Sequence, residues 1–313
     1  MVSYILRRLV WGVAVLIAVG IVTFVLIYIL PADPARVIAG PRASADAVAR
    51  IAHQLGLDQP LPVQLATYLG HALSGDLGHS FSQNQDVLPL ILSRFPATLQ
   101  LALAGLFVEL AIGIPLGLLA ATHRDSAYDR GATILSIVLV SAPSFWVGLL
   151  LIHYLGYVPH QLAGIDVFPI GGYKPLDLRY LILPALTLGF AGAAYYTRLT
   201  RVTMIDQLHA DYVRTARAKG LVERKVTRRH AFRNAVGPIL TQIGLDLGFF
   251  LGGIVVVEQV FSWPGIGKLA VDSIATADVP LIVGTVVFGT FCIVVANLTV
   301  DILNAVVDPR IRF

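Results

Sequence analysis

Six apolar runs divide this chain, and each is about long enough for a helix that crosses a bilayer. Such a helix needs about 20 apolar residues to span a hydrocarbon core of roughly 30 Å. Residues 9–30, 97–121, 132–157, 180–197, 236–257 and 281–307 meet or approach that length. Runs of this kind leave few folds open, because in lipid the backbone amides must be satisfied within a helix or a closed barrel. Composition points the same way. The chain is 56% hydrophobic and 13% charged, whereas a soluble domain carries roughly 25% charged residues to face water. The expectation is an all-α integral membrane protein: one transmembrane domain over residues 1–313, with about six transmembrane helices. The first run is twice the length of a signal-peptide core and lacks a clean small-residue cleavage site, so it reads as an uncleaved helix.

Basic residues orient the spans. With the N-terminus inside, residues 1–8, 122–131, 198–235 and 308–313 face the cytoplasm and hold sixteen of the 23 Lys and Arg but six of the 19 Asp and Glu. The opposite side receives 31–96, 158–179 and 258–280, which hold seven basic and ten acidic residues. Cytoplasmic enrichment of Lys and Arg sets orientation, so both termini are expected in the cytoplasm. The net charge of +4 is thus a membrane-orientation signal and gives no reason to invoke nucleic acid. Residues 31–96 read as a small extracytoplasmic cap with helices of its own. Ser44 caps a pattern of Val48, Ile51 and Leu55, and Pro62 opens a second one with Leu65, Tyr68, Leu69 and Ala72 on one face.

Catalytic patterns are absent from the sequence. No glycine-rich loop ends in Gly-Lys-Ser/Thr, no His-Glu pair sits at metalloprotease spacing, and no Gly-x-Ser-x-Gly elbow occurs. The lone Cys292 and the eight scattered histidines propose no metal site. The polar residues that stand out lie within spans. Glu109 and Asp246 fall near the middle of the second and fifth runs, where a charge must face protein or water. Each fits either a water-filled path through the membrane or a hydrogen bond between helices. Asp301, near the inner end of the sixth run, reads as structural. Pro115, Pro143 and Pro184 interrupt spans and fit kinks.

The longest inside-facing connection, 198–233, exceeds the 2–8 residues that usually join helices and carries ten basic residues against three acids. Its middle, Asp211-Tyr-Val-Arg-Thr-Ala-Arg-Ala-Lys-Gly220, has a capping Asp, apolar positions at helical spacing and a terminating Gly. A second short helix is expected over about 222–232. The shape fits a membrane-surface loop or a docking elbow for a cytoplasmic protein.

The segment from Asp211 to Pro238, with Ala216, Gly220, His230, Ala231, Arg233, Asn234 and Pro238, resembles the signature loop of ABC importer permeases. The variant is that of the dipeptide, oligopeptide and nickel branch. Gly56-Leu-Asp-Gln-Pro-Leu-Pro-Val-Gln64, Gly75-Asp-Leu-Gly-His-Ser-Phe81, Pro96-Ala-Thr-Leu99, Val257-Glu-Gln-Val-Phe-Ser-Trp-Pro-Gly-Ile-Gly267 and Asp308-Pro-Arg-Ile-Arg312 resemble further segments of that family, in order along the whole chain. One departure is plain. The wider superfamily begins its signature Glu-Ala-Ala, where this chain has Arg214, Thr215 and Ala216.

The resemblance implies a multi-pass protein of a bacterial or archaeal plasma membrane, serving as one permease subunit of a peptide importer. Relatives also move nickel chelates, haem or glutathione. A second, similar permease, two ATP-binding subunits that hold ATP and magnesium, and an extracytoplasmic substrate-binding protein are the implied partners. The chain itself would bind no cofactor and perform no hydrolysis. Asp211, Tyr212, Arg214, Thr215, Ala216, Arg217, Lys219 and Gly220 would form the coupling helix that docks on an ATP-binding subunit.

Overall fold

A computed structural model describes residues 2–29, 33–40, 42–54, 56–57 and 59–307. Leu55 and the C-terminal Asp308-to-Arg312 motif lie outside them. The described chain is almost wholly helical. Five helices are long and apolar enough to cross a membrane: Leu6–Ile29 (α1), Val87–Thr122 (α5), Leu178–Leu208 (α9), Glu223–Leu251, which ends in α12 (Phe232–Leu251), and Val279–Ile302 within α15 (Val279–Val307). The third expected span is broken. Ala127–Ser141 (α6) and Ser144–Ala163 meet at a bend of 101°, at Ala142 and Pro143. Pro143 has no amide hydrogen to continue the ladder, and counting the bent pair as one span gives the six expected.

Two compact units divide the chain: 1–99, 248–258 and 264–298 in the first, 100–247, 259–263 and 299–313 in the second. In the first unit, α1 is followed by short helices Pro34–Ala39 (α2), Ala45–Gln54 (α3) and Leu61–Leu73 (α4). Ser44 Oγ accepts the Ala47 amide at the head of α3, and a proline sits in the first turn of α4, as the sequence suggests. A small hairpin then pairs His79–Ser80 (β1) with Gln85–Asp86 (β2). The helix α5 starts ten residues earlier than the apolar run. Its first turns bury Val87, Leu90 and Ile91 against Ile266, Leu269 and Leu281, so the helix runs on through Arg94 and Pro96.

Two buried carboxylates fasten this unit. Glu258, within the short helix Val255–Val260 (α13), is 0% exposed. Its Oε1 accepts the Thr98 hydroxyl at 2.8 Å, and its Oε2 accepts the Lys268 amide at 2.8 Å. Thr98 Oγ1 in turn accepts the Ile266 amide at 2.8 Å. The cluster thereby satisfies the free amides that open helix Ile266–Ala275 (α14). Burial pushes the Glu258 carboxyl above its ordinary range, against hydrogen bonds from the Lys268 amide, Thr98 and the Gly267 amide that pull it down. Asp278, also 0% exposed, accepts from Ser80 Oγ and Ser82 Oγ at 2.6 Å each, from the Ser82 amide at 3.0 Å, and from the Leu281 amide at 3.3 Å. It ties the hairpin to the start of α15.

In the second unit, α5 and α9 approach closely along small residues. A Cβ at Gly113 would meet the Ala193 carbonyl, and one at Gly117 the Thr197 carbonyl. α6 packs along α9, where Arg201 grips Asp129 through two hydrogen bonds. Asp129 is 4% exposed.

Candidate functional site

After α9 the chain turns sharply into Asp211–Ala218 (α10). Ala210 is the N-cap and Asp211 is the first helical residue, with no side-chain cap bond. Asp211 therefore favours the helix by its charge at the positive end and does not cap it as the sequence suggests. Gly220 ends the helix with φ +75°, a left-handed conformation that costs glycine nothing. α10 has two faces. Val213 and Ala216, three residues apart, are buried with Met204, Val226, Ala231 and Ala235. Asp211, Tyr212, Arg214, Thr215, Arg217, Lys219 and Gly220 are exposed. Seven of the eight residues expected to dock thus share an open surface. Ala216 does not: it points into this chain's own interior and supports the helix from behind.

Polar bonds fix α10 against the end of α9. Tyr212 Oη donates to Gln207 Oε1 at 2.7 Å, and Arg217 Nη1 donates to the Leu208 carbonyl at 3.3 Å. Arg217 also binds the Glu223 carboxylate through Nη2 at 2.6 Å and Nε at 3.0 Å. That pair, through its hydrogen bonds first, holds the Arg217 guanidinium above its usual range. The separate short helix expected over 222–232 is not present. Glu223–Lys225 (α11) runs through a π-helical turn, Val226–Ala231, straight into α12, because no glycine or proline interrupts that stretch.

Glu109 and Asp246 do not open on the cavities described below. Asp246 is committed within the protein: it accepts Tyr196 Oη at 2.6 Å and Gln242 Nε2 at 2.8 Å, and Tyr196 is 0% exposed. Glu109 is 3% exposed and lies so close to Gly192 of α9 that a Cβ there would collide with its carboxylate. Its Oε2 has no hydrogen-bond partner among the described residues. Of the described cavities, one is lined by Tyr28, Tyr68, His71 and Asp76, and another by the C-terminal turns of α5 with residues 223–228. Neither carboxylate lines them. Among the described residues, no group of three His, Cys, Asp or Glu converges as a metal site. The Glu258 and Asp278 fasteners were not singled out in the sequence. Their partners lie 160 and up to 198 residues away, and only Asp278's place just before α15 hints at one of them.

Residues 113–313 match the model of the binding-protein-dependent transport system inner membrane component, and residues 1–102 match that of its N-terminal region. The chain belongs to this family. It is accordingly a multi-pass permease component of the inner membrane. The glutathione transport system permease protein of Salmonella choleraesuis (strain SC-B67) is 41% identical over 313 residues, covering 100% of both chains. A putative peptide transport system permease protein of Brucella abortus (strain 2308) is 42% identical over 319 residues, again covering 100% of both. The inward-facing MetNI methionine ABC transporter shares the fold at TM-score 0.53 and 14% identity, over 70% of this chain and 96% of that one. The sequence resemblance to ABC importer permeases therefore holds, and the all-α membrane fold with it.

Proposed function

We propose that this permease is one of two membrane subunits of an ATP-driven importer of di- and oligopeptides. Two ATP-binding subunits on the cytoplasmic side hold ATP and magnesium and perform the hydrolysis, and an extracytoplasmic binding protein delivers the cargo. Both termini and α10 face the cytoplasm, as the distribution of basic residues supports. The chain works as one permease domain.

The observation that carries this reading is the two-faced build of α10. Buried Val213 and Ala216 anchor the helix, while Tyr212, Arg214, Thr215 and Lys219 stay open for a partner. A rigid elbow with an exposed polar face transmits a push, whereas a floppy basic loop does not. For Glu109 and Asp246 we propose a fastening role between membrane helices, because one is fully packed and the other is bound to Tyr196. Glutathione, itself a tripeptide, is the specific cargo favoured by the relatives named for its transport.

Reconstitution of the full transporter in vesicles tests the reading. Labelled dipeptide should accumulate only with ATP and the binding protein both present, and unlabelled glutathione should compete. Uptake driven by a proton or sodium gradient without ATP would overturn it in favour of an ion-coupled transporter.

A further inference from the structure

A groove of about 450 Å³ runs between the last turns of α5 and residues 223–228. Its two walls differ in kind. On α5, Pro115, Leu118 and Leu119 form an apolar wall, with Pro115 and Leu119 exposed one helical turn apart. His123 follows at the same spacing, where the apolar span ends. On the other wall, Arg224 and Arg228 stand four residues apart on one helical face, and both are exposed. Neither guanidinium has an ion-pair partner among the described residues. The one acid in the lining, Glu223, is held by Arg217 through two hydrogen bonds, so its charge is already matched.

We propose that this groove binds an anionic phospholipid of the inner leaflet. Its phosphate meets Arg224 and Arg228, and an acyl chain lies along Pro115, Leu118 and Leu119. The inference rests on the inward orientation given under Proposed function. An apolar stripe that ends at two unmatched arginines, at the end of a membrane-crossing helix, has the polarity order of a lipid. Basic pockets at the cytoplasmic ends of membrane helices recognise anionic head groups in this way, and guanidinium binds phosphate oxygens through paired, charge-assisted hydrogen bonds. A soluble protein seated here would leave Leu119 unmatched against hydrocarbon. A lipid covers both walls at once.

Native mass spectrometry of the intact transporter, titrated with phosphatidylglycerol or phosphatidylcholine, tests this. The wild type should retain phosphatidylglycerol in preference to phosphatidylcholine. The double variant R224Q/R228Q should weaken that retention by roughly tenfold, while the charge-matched control K225Q/R229Q, outside the groove lining, should leave it unchanged. All three should keep their ATP-binding subunits. R224K/R228K should restore part of the retention, which separates a head-group contact from a folding defect. Equal lipid retention by both double variants would overturn the site. Loss of ATP-binding subunits from R224Q/R228Q with lipid retention intact would overturn it too, and would assign these arginines to a protein contact. If even the wild type recruits no ATP-binding subunit yet still selects phosphatidylglycerol, the importer reading fails and the groove stands.

Discussion

Two acids in the connections assigned to the outside and four basic residues of the loop assigned to the inside handle charge in opposite ways. Outside, Glu258 and Asp278 are fully buried, and both oxygens of each carboxylate accept hydrogen bonds within the protein. Inside, Arg214, Lys219, Arg224 and Arg228 are exposed, and apart from a 3.5 Å contact between Arg214 and Asp211 they make no ion pair among the described residues. A saturated buried charge holds a shape, since removing any partner strands the rest. An exposed, loosely paired charge contributes little to stability and is free to meet another molecule. The contrast separates a region built for rigidity from one built for contact.

The contrast breaks most easily at Glu258. Glu258→Ala strands the Thr98 hydroxyl and the amide of Lys268 in the interior, and should cost about 3–5 kcal/mol. Thermal melting of the purified complex should drop sharply, and an unchanged Tm would remove the fastener from the fold. Gly192→Ala should come next. The added Cβ collides with the Glu109 carboxylate, an overpacking worth about 1–3 kcal/mol, read as loss of permease from the membrane fraction. Tyr196→Phe removes one hydrogen bond to Asp246 and should cost about 1 kcal/mol, with peptide selectivity unaltered. A change in selectivity would return Asp246 to the translocation path. The smallest effect on stability, within about 0.5 kcal/mol, is expected for R214E/K219E, yet ATP-driven uptake should collapse in that variant. Normal uptake there would break the assignment of the exposed face of α10 to coupling.

Much of the fold is legible in the sequence because lipid imposes a length and a polarity on every span. The span 281–307 falls within two residues of α15, whereas 236–257 overlaps α12 but runs six residues past its end at Leu251. What escapes is set by contacts far apart in the chain. Pro143 signals a break in the third span, but local propensity does not fix a bend of 101°. The apolar run begins at 97, yet α5 begins at Val87 because Val87, Leu90 and Ile91 have an apolar cluster to fill. The short helix α10 is legible from Gly220 and the spacing of Val213 and Ala216. That Ala216 belongs to the buried side follows only once Met204 and Val226 are seen packed with it.

The orientation and the docking face meet in one measurement. A photoreactive amino acid is placed at Thr215, on the exposed face of α10, or at Ser44, exposed at the head of α3, in the intact transporter in native membranes. Illumination should attach the ATP-binding subunit to position 215 and never to position 44. An ATP-binding subunit captured at 44, or only the substrate-binding protein captured at 215, would contradict both the topology and the coupling role.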